Sequence, residues 1–230
     1  MGRRALRKIK PEIDLTGRLL SYDDLPNPWD AEALFSEEPQ RGRPLEVEVG
    51  SGKGLFLRRA TAERPEHNFL GVEIAHKYAR YCAAELVKQD ADNGKVLSGD
   101  GLRLFHELLP DGALEAVHVY FPDPWWKKRH AHRRVLNDRF LLDVARTLRD
   151  GGRLHFWTDV EDYYQATLEL IATMRGEGLP LTGPHPVEER PFEHHLDFHT
   201  HFERRTRLND EPVFRAEFER IARTGGGDGA

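Results

Sequence analysis

Apolar and polar positions follow two rhythms along the chain, and the switches between them outline a fold. Short runs rich in Val, Ile, Leu and aromatics at 45–49, 68–74, 95–97, 116–121 and 152–158 predict strands. Segments of helical length at 54–63, 76–89, 101–108, 136–149 and 161–175 fall between and after them. Strand and helix in alternation predict an α/β domain, a doubly wound and mostly parallel sheet with helices on both faces. The late stretch Phe214-Arg215-Ala216-Glu217-Phe218-Glu219 alternates apolar with charged at period two, which predicts a strand with one wet face at the sheet's edge.

Proline and glycine set the boundaries. Pro26, Pro28, Pro39 and Pro44 suit an irregular connector, because each fixes φ and lacks an amide donor. A compact domain is therefore expected at 45–224, after a basic extension and connector at 1–44. The tail 225–230 is expected to be flexible, since four glycines in six residues cannot offset their ordering entropy. A length of 230 residues fits one such domain. No run approaches the roughly 18 apolar residues of a membrane span, and the basic start lacks the apolar core of a signal peptide, so a soluble, cytoplasmic protein is expected. The single cysteine, Cys82, can form neither an internal disulfide nor a cysteine metal cage, and reads as packing.

A net charge of −5 argues weakly against a nucleic-acid partner, but the charge is unevenly spread. The first ten residues carry five cations, Lys127-Lys128-Arg129-His130-Ala131-His132-Arg133-Arg134 contains no acid, and Arg204-Arg205-Thr206-Arg207 is also basic. Each run alone reads equally well as a solvated face.

In open α/β sheets ligands bind beyond the carboxyl ends of the strands, so the residues just after each strand carry most information. The first such loop is Glu46-Val47-Glu48-Val49-Gly50-Ser51-Gly52-Lys53-Gly54. Gly50, Gly52 and Gly54 permit a tight turn and close approach to a ligand. A dinucleotide site would need glycine at Leu55, which disfavours NAD. The triplet could simply make a turn, but Glu48 stands two residues ahead of it, and a carboxylate there repels phosphate and suits a cation or an amine. Glu73 lies 23 residues past Gly50, the spacing at which an acid accepts hydrogen bonds from ribose hydroxyls. Asp100, in Ser98-Gly99-Asp100-Gly101, could line the same pocket or only cap the next helix. Acids at successive strand ends around a glycine loop describe a pocket for a ligand with an amine, a ribose and an adenine but no phosphate. S-adenosylmethionine is such a ligand, and the chain here resembles the class I methyltransferases, which implies a seven-stranded, Rossmann-like sheet.

The fourth strand runs into Pro122-Asp123-Pro124-Trp125-Trp126-Lys127-Lys128-Arg129. Two prolines stiffen this turn and fix Asp123 at the sheet's carboxyl edge, beside the expected methyl donor. Tryptophans followed by cations combine base stacking with phosphate holding, against the plainer reading of a rigid surface turn. Lys127, Arg129, Arg133 and Arg134 are the expected phosphate contacts.

This segment resembles the signature of the tRNA (guanine-N7)-methyltransferase family, and the likeness covers about residues 45–220. It is carried by Glu48-Val49-Gly50-Ser51-Gly52-Lys53-Gly54, Gly71-Val72-Glu73-Ile74, Asp100, Pro122-Asp123-Pro124-Trp125, the basic run to Arg134, Thr158-Asp159 and Thr200-His201-Phe202-Glu203-Arg204-Arg205. The resemblance implies that Glu48, Glu73, Asp100 and Asp123 contact S-adenosylmethionine with the glycines of the loop. It implies that Lys127, Asp159, Thr200 and Glu203 belong to the substrate site, and that Asp123 is catalytic. It further implies methylation of guanine 46 in the tRNA variable loop; apart from the resemblance, a monomer with no obligatory protein partner and no metal is expected. Two positions depart from the pattern: Thr206 replaces a usual glycine, and Trp157 stands where a small residue is common.

Three other readings compete. His194, His195, His199 and His201 lie close to Glu193 and Asp197, and His195 with His199 has the spacing of a metal pair, but no neighbouring pattern supplies a fixed third ligand. A non-catalytic tRNA-binding module would show degraded motif acids, and none is degraded. An amino-group methyltransferase would show Asn/Asp-Pro-Pro-aromatic at the fourth strand, where Asp123-Pro124-Trp125 lacks the second consecutive proline.

Overall fold

A computed structural model describes residues 6–125, 128–188, 198 and 200–222. Its strands are β1 (Leu19–Leu20), β2 (Leu45–Val49), β3 (Asn68–Glu73), β4 (Gly94–Ser98), β5 (Leu114–Tyr120), β6 (Leu148–Thr158), β7 (Leu181–His185) and β8 (Phe214–Arg220). They form one sheet in the order β1-β4-β3-β2-β5-β6-β8-β7. Pairing is parallel from β1 to β6, while β8 runs antiparallel to both β6 and β7. The α/β class and all five expected parallel strands are present.

The sheet has eight strands where seven were expected, because two short ones at its margins carry little pattern. β1 is two residues long, and β7 holds Gly183-Pro184, a pair that reads as a break but is tolerated on an edge. The strand at 214–220 is therefore not the edge: β7 lies outside it. Packing also begins before the expected boundary at Pro44. β1 pairs with β4, and Leu20, Leu25, Leu34 and Phe35 are buried in the main core. The tail at 225–230 falls outside the described residues.

Helices cover both faces. α5 (Asp138–Thr147) and α6 (Glu161–Gly176) lay Phe140, Leu141, Val144, Ile171 and Met174 against Val47, Val117, Val119 and Phe156. On the other face α2 (Leu55–Glu63) and α3 (His76–Val87) pack Phe56, Leu57, Ala60, Ala79, Cys82 and Ala83 against Phe69, Val96 and Tyr120. Each large apolar side chain so buried contributes about 1.5–3 kcal/mol. Three further helices are short: α1 (Ala31–Leu34), α4 (Gly101–Arg103), which continues as a π-helical turn Leu104–Leu108, and α7 (His201–Leu208). No helix among the described residues is long and apolar enough to cross a membrane.

Candidate active site

The strand order decides what meets at the sheet's rim. Proceeding from β2, the chain adds β3 and β4 on one side, then returns to place β5 and β6 on the other. The reversal falls between β2 and β5, the switch point at which such sheets open a crevice. Asp100, Glu73, Glu48, Asp123 and Asp159 thus sit at the carboxyl ends of β4, β3, β2, β5 and β6, neighbours in space.

The glycine loop is built for close approach. Gly50, Gly52 and Gly54 have φ of 85°, 54° and 73°, left-handed values that glycine adopts without strain. A Cβ at Gly54 would collide with the Cys82 sulfur, whereas one at Gly50 would meet nothing within 4 Å. Cys82 is the buried floor of this loop, a packing role as expected. Glu73 stitches the loop to β3: one oxygen accepts from the Gly52 amide and the other from the Ala75 amide, both at 2.8 Å. Each oxygen keeps a second lone pair for a ligand.

Glu48 is 2% exposed, and its Oε2 has no hydrogen-bond partner among the described residues. Burial, with the charge of Glu73 added, pushes its carboxyl up to about 8. Two residues earlier on the same face, Glu46 is equally buried but fully partnered. His118 Nε2 lies 2.6 Å from its Oε2, and Arg64 and His67 reach its Oε1 at 2.5 and 2.7 Å. Burial works against the Glu46 charge, yet the hydrogen bonds and charges of His118 and then Arg64 hold its carboxyl down to about 2. Burial lowers His118 itself, against the pull of the Glu46 carboxylate, and its Nδ1 lies 2.9 Å from the Tyr120 hydroxyl. His118 also stacks on His155 at 4.7 Å, and His155 reaches Glu217 at 3.2 Å. The expected strand pattern did not disclose this network; its signal was a histidine and a glutamate on central strands, which are buried on both faces and must pair.

Asp100 does cap α4, accepting from the Leu102 amide at 3.0 Å, and its carboxylate is otherwise exposed at the rim. Tyr22, from the N-terminal extension, donates its hydroxyl to the Asp100 carbonyl, and Arg103 lies 4.3 Å over the Tyr22 ring. No motif pointed to Tyr22.

At β5 the turn after Tyr120 is sharply bent. Phe121 and Trp125 both have left-handed φ, 50° and 45°. Asp123 is exposed, and its Oδ1 accepts from the Trp125 amide at 3.0 Å. Arg133 stacks over Trp125 at 5.1 Å and is otherwise exposed, as is Arg129. Arg134 departs from the expected phosphate contact: it is half-buried, its Nε donates to the Pro124 carbonyl at 2.9 Å, and its guanidinium lies 4.7 Å over the Tyr163 ring. Lys127 lies outside the described residues.

The C-terminal motif is mostly an anchor. Thr200 caps α7 by accepting from the Glu203 amide at 3.0 Å. Glu203, 1% exposed, faces inward to Arg207 at 3.3 Å and Arg215 at 3.6 Å, so its carboxylate ties α7 to β8 instead of lining an open surface. The same helix presents Phe202, 41% exposed, stacked on Phe121 at 6.3 Å, and Arg205 reaches the half-buried Asp159 at 3.9 Å. The two departures from the family pattern are absorbed by packing. Trp157 fills the sheet face between Tyr120 at 5.1 Å and Arg215 at 4.9 Å, and Thr206 is fully buried in α7.

His194, His195 and His199 fall outside the described residues; among those described, no group of three His, Cys, Asp or Glu is placed to hold a metal ion. A cavity of about 330 Å³ lined by Asp14, Arg18, Glu37, Asp92 and Lys95 lies at the amino ends of β1 and β4, on the rim away from the acids.

A glycine loop with a buried, unpartnered carboxylate, at the switch point of a mostly parallel sheet, defines the class: an S-adenosylmethionine-dependent methyltransferase. The donor set fits that cofactor, since a cation is what the Glu48 oxygen lacks and the space beside Gly50 admits a ligand. Residues 42–216 match the family model described as "Putative methyltransferase". The fold is that of the antibiotic-resistance methyltransferase Kmr, with a TM-score of 0.53 at 20% identity over 86% of this chain and 95% of that one. The chain is 51% identical over 221 residues to the tRNA (guanine-N(7)-)-methyltransferase of Rhodopirellula baltica, covering 94% of this chain and 79% of that protein. It is 33% identical over 232 residues to the Salmonella typhimurium protein of that name, covering 95% and 94%. The chain belongs to the tRNA (guanine-N7)-methyltransferase family.

Proposed function

We propose that this chain methylates N7 of guanine 46 in the variable loop of tRNA, with Asp123 as its catalytic carboxylate. The reading rests above all on Glu48, a buried acid whose Oε2 has no hydrogen-bond partner among the described residues, beside a loop shaped for a ligand. S-adenosylmethionine supplies a methyl group on a sulfonium. Glu48 faces the cofactor's positive end, while Glu73 and Asp100, one strand and two strands away, accept from its ribose and adenine side.

Guanine N7 carries a lone pair and no proton, so the new N–C bond forms as the C–S bond breaks, with its electron pair going to sulfur. No general base is needed; the protein must hold the two partners in line at near-attack distance. Positive charge then develops on the guanine imidazole ring. The free oxygen of Asp123, with Asp159, accepts hydrogen bonds from the ring's N1 and N2 and offsets that charge. Trp125 supports the base by stacking, and Lys127, Arg129 and Arg133 hold tRNA phosphates. Thr200 and Glu203 serve the substrate by fixing α7. A tRNA substrate supports a cytoplasmic location.

Labelled cofactor and total tRNA, followed by borohydride reduction and aniline cleavage, test the reading, because that chemistry cuts RNA at 7-methylguanine. One cut in the variable loop is expected. Asp123→Ala should lower kcat about 100-fold or more while tRNA still binds. Label transfer without cleavage would mean that an amino group is the acceptor.

A further inference from the structure

Two non-glycine residues with left-handed φ flank the turn at 122–124, and such conformations persist only where surrounding contacts over-determine them. The Phe121 amide donates to the Trp157 carbonyl at 2.8 Å and the Trp125 amide to Asp123, and between them the turn is held by Arg134. Its Nε holds the Pro124 carbonyl at 2.9 Å, its guanidinium rests on Tyr163, and its own carbonyl accepts from the Asn137 side chain at 3.0 Å. Asn137 in turn caps α5, accepting from the Phe140 amide at 3.0 Å. Tyr163 on α6 is 1% exposed, packs edge-on against Phe156 at 5.6 Å, and accepts from the Leu136 amide at 3.4 Å. Burial pushes its phenol up to about 12. The strained turn and the starts of two helices therefore meet at one residue, the turn and α6 through the guanidinium and α5 through the backbone carbonyl.

We propose that Arg134, seated on Tyr163, is a positioning residue that locks the 122–125 turn and so aims the Asp123 carboxylate, and that it is not a tRNA phosphate contact. The proposal rests on Asp123 being the catalytic carboxylate. It divides the basic run by role: Arg129 and Arg133, both exposed, meet tRNA, and Arg134 serves the turn from within. The charge of Arg134 matters less than its Nε–H, because that is the atom bonded to Pro124. A glutamine side chain carries an N–H donor the same number of bonds from Cα, so Arg134→Gln keeps the bond and loses the charge, whereas Arg134→Met keeps the chain only as far as that atom and loses both; each also removes the guanidinium from Tyr163.

The test compares Arg134→Gln, Arg134→Met and Arg133→Ala for kcat at saturating tRNA, for the salt dependence of tRNA binding, and for hydrogen exchange across 121–126. Arg134→Met should lower kcat at least tenfold and speed exchange in the turn, with the salt slope unchanged. Arg134→Gln should stay within about threefold of wild type in kcat and keep the turn protected. Arg133→Ala should reduce the salt slope by about 0.7–0.9 and leave exchange in the turn as in wild type. The proposal is overturned if both Arg134 variants lose one unit of slope at unchanged kcat, if Arg134→Gln is as slow as Arg134→Met, or if exchange in the turn does not change. The exchange readout needs no turnover, so a wild-type enzyme that made no 7-methylguanine would sink the functional reading and still leave the brace decided.

Discussion

Glu46 and Glu48 stand two residues apart on one face of β2, both all but buried, and the chain treats them in opposite ways. Toward the middle of the sheet Glu46 is met by His118, Arg64 and His67, and its carboxyl is held down to about 2. At the rim Glu48 keeps one oxygen without a partner, and its carboxyl is pushed up to about 8. Identical side chains at equal depth thus separate by environment alone into a structural ion and an acid that waits for a cation. The contrast teaches where to look for a ligand: a buried charge that the protein satisfies belongs to the fold, and one that it leaves unsatisfied belongs to whatever binds.

The largest effect that sharpens this comparison is on stability. Glu46→Gln leaves Arg64 and His118 without their carboxylate and should cost about 3–5 kcal/mol of unfolding free energy at pH 7, read by urea denaturation. The pH profile gives the sign. A group whose carboxyl falls from the ordinary 4.5 to about 2 on folding binds protons more readily when unfolded, so its stabilisation is complete above about 4.5 and fades as pH falls toward 2. The gap between Glu46→Gln and wild type should close over that window; a gap independent of pH would mean that the carboxylate charge is not what the network uses.

A smaller effect, on binding, marks the other glutamate. Glu48→Gln should leave the unfolding free energy at pH 7 within about 1 kcal/mol of wild type, because a protonated acid and an amide differ little in that site. Cofactor affinity should fall by about 2–3 kcal/mol, roughly 30- to 150-fold, for want of the carboxylate that faces the cation. Isothermal calorimetry reads this directly. The reverse outcome, lost stability with cofactor affinity intact, would make Glu48 a second structural ion and erase the contrast.

The same two regions show what the sequence made legible. The parallel strands, the switch-point loop and the acids at the strand ends were readable because apolar periodicity and glycine placement encode them locally. The margins were not: β1 is too short to show a period, and β7 carries Pro184, which breaks a pattern without forbidding an edge strand. α7 was missed because its buried face is ionic and not apolar, with Glu203 and Arg207 turned inward. Glu46 reads in sequence like Glu48, since period-two alternation gives the face of a side chain but not its partners. Arg134 reads in sequence like its exposed neighbours for the same reason: a run of cations does not reveal which one turns back onto Pro124 and Tyr163.

The central claim is that Glu48 is neutral until a cationic methyl donor arrives. Calorimetric titration of the enzyme with S-adenosylmethionine at pH 7, in buffers of different ionisation enthalpy, counts the protons that move on binding. With a carboxyl at about 8 in the free protein, binding should release close to one proton, and Glu48→Gln should release almost none. No release from wild type, or equal release from both, would contradict the account.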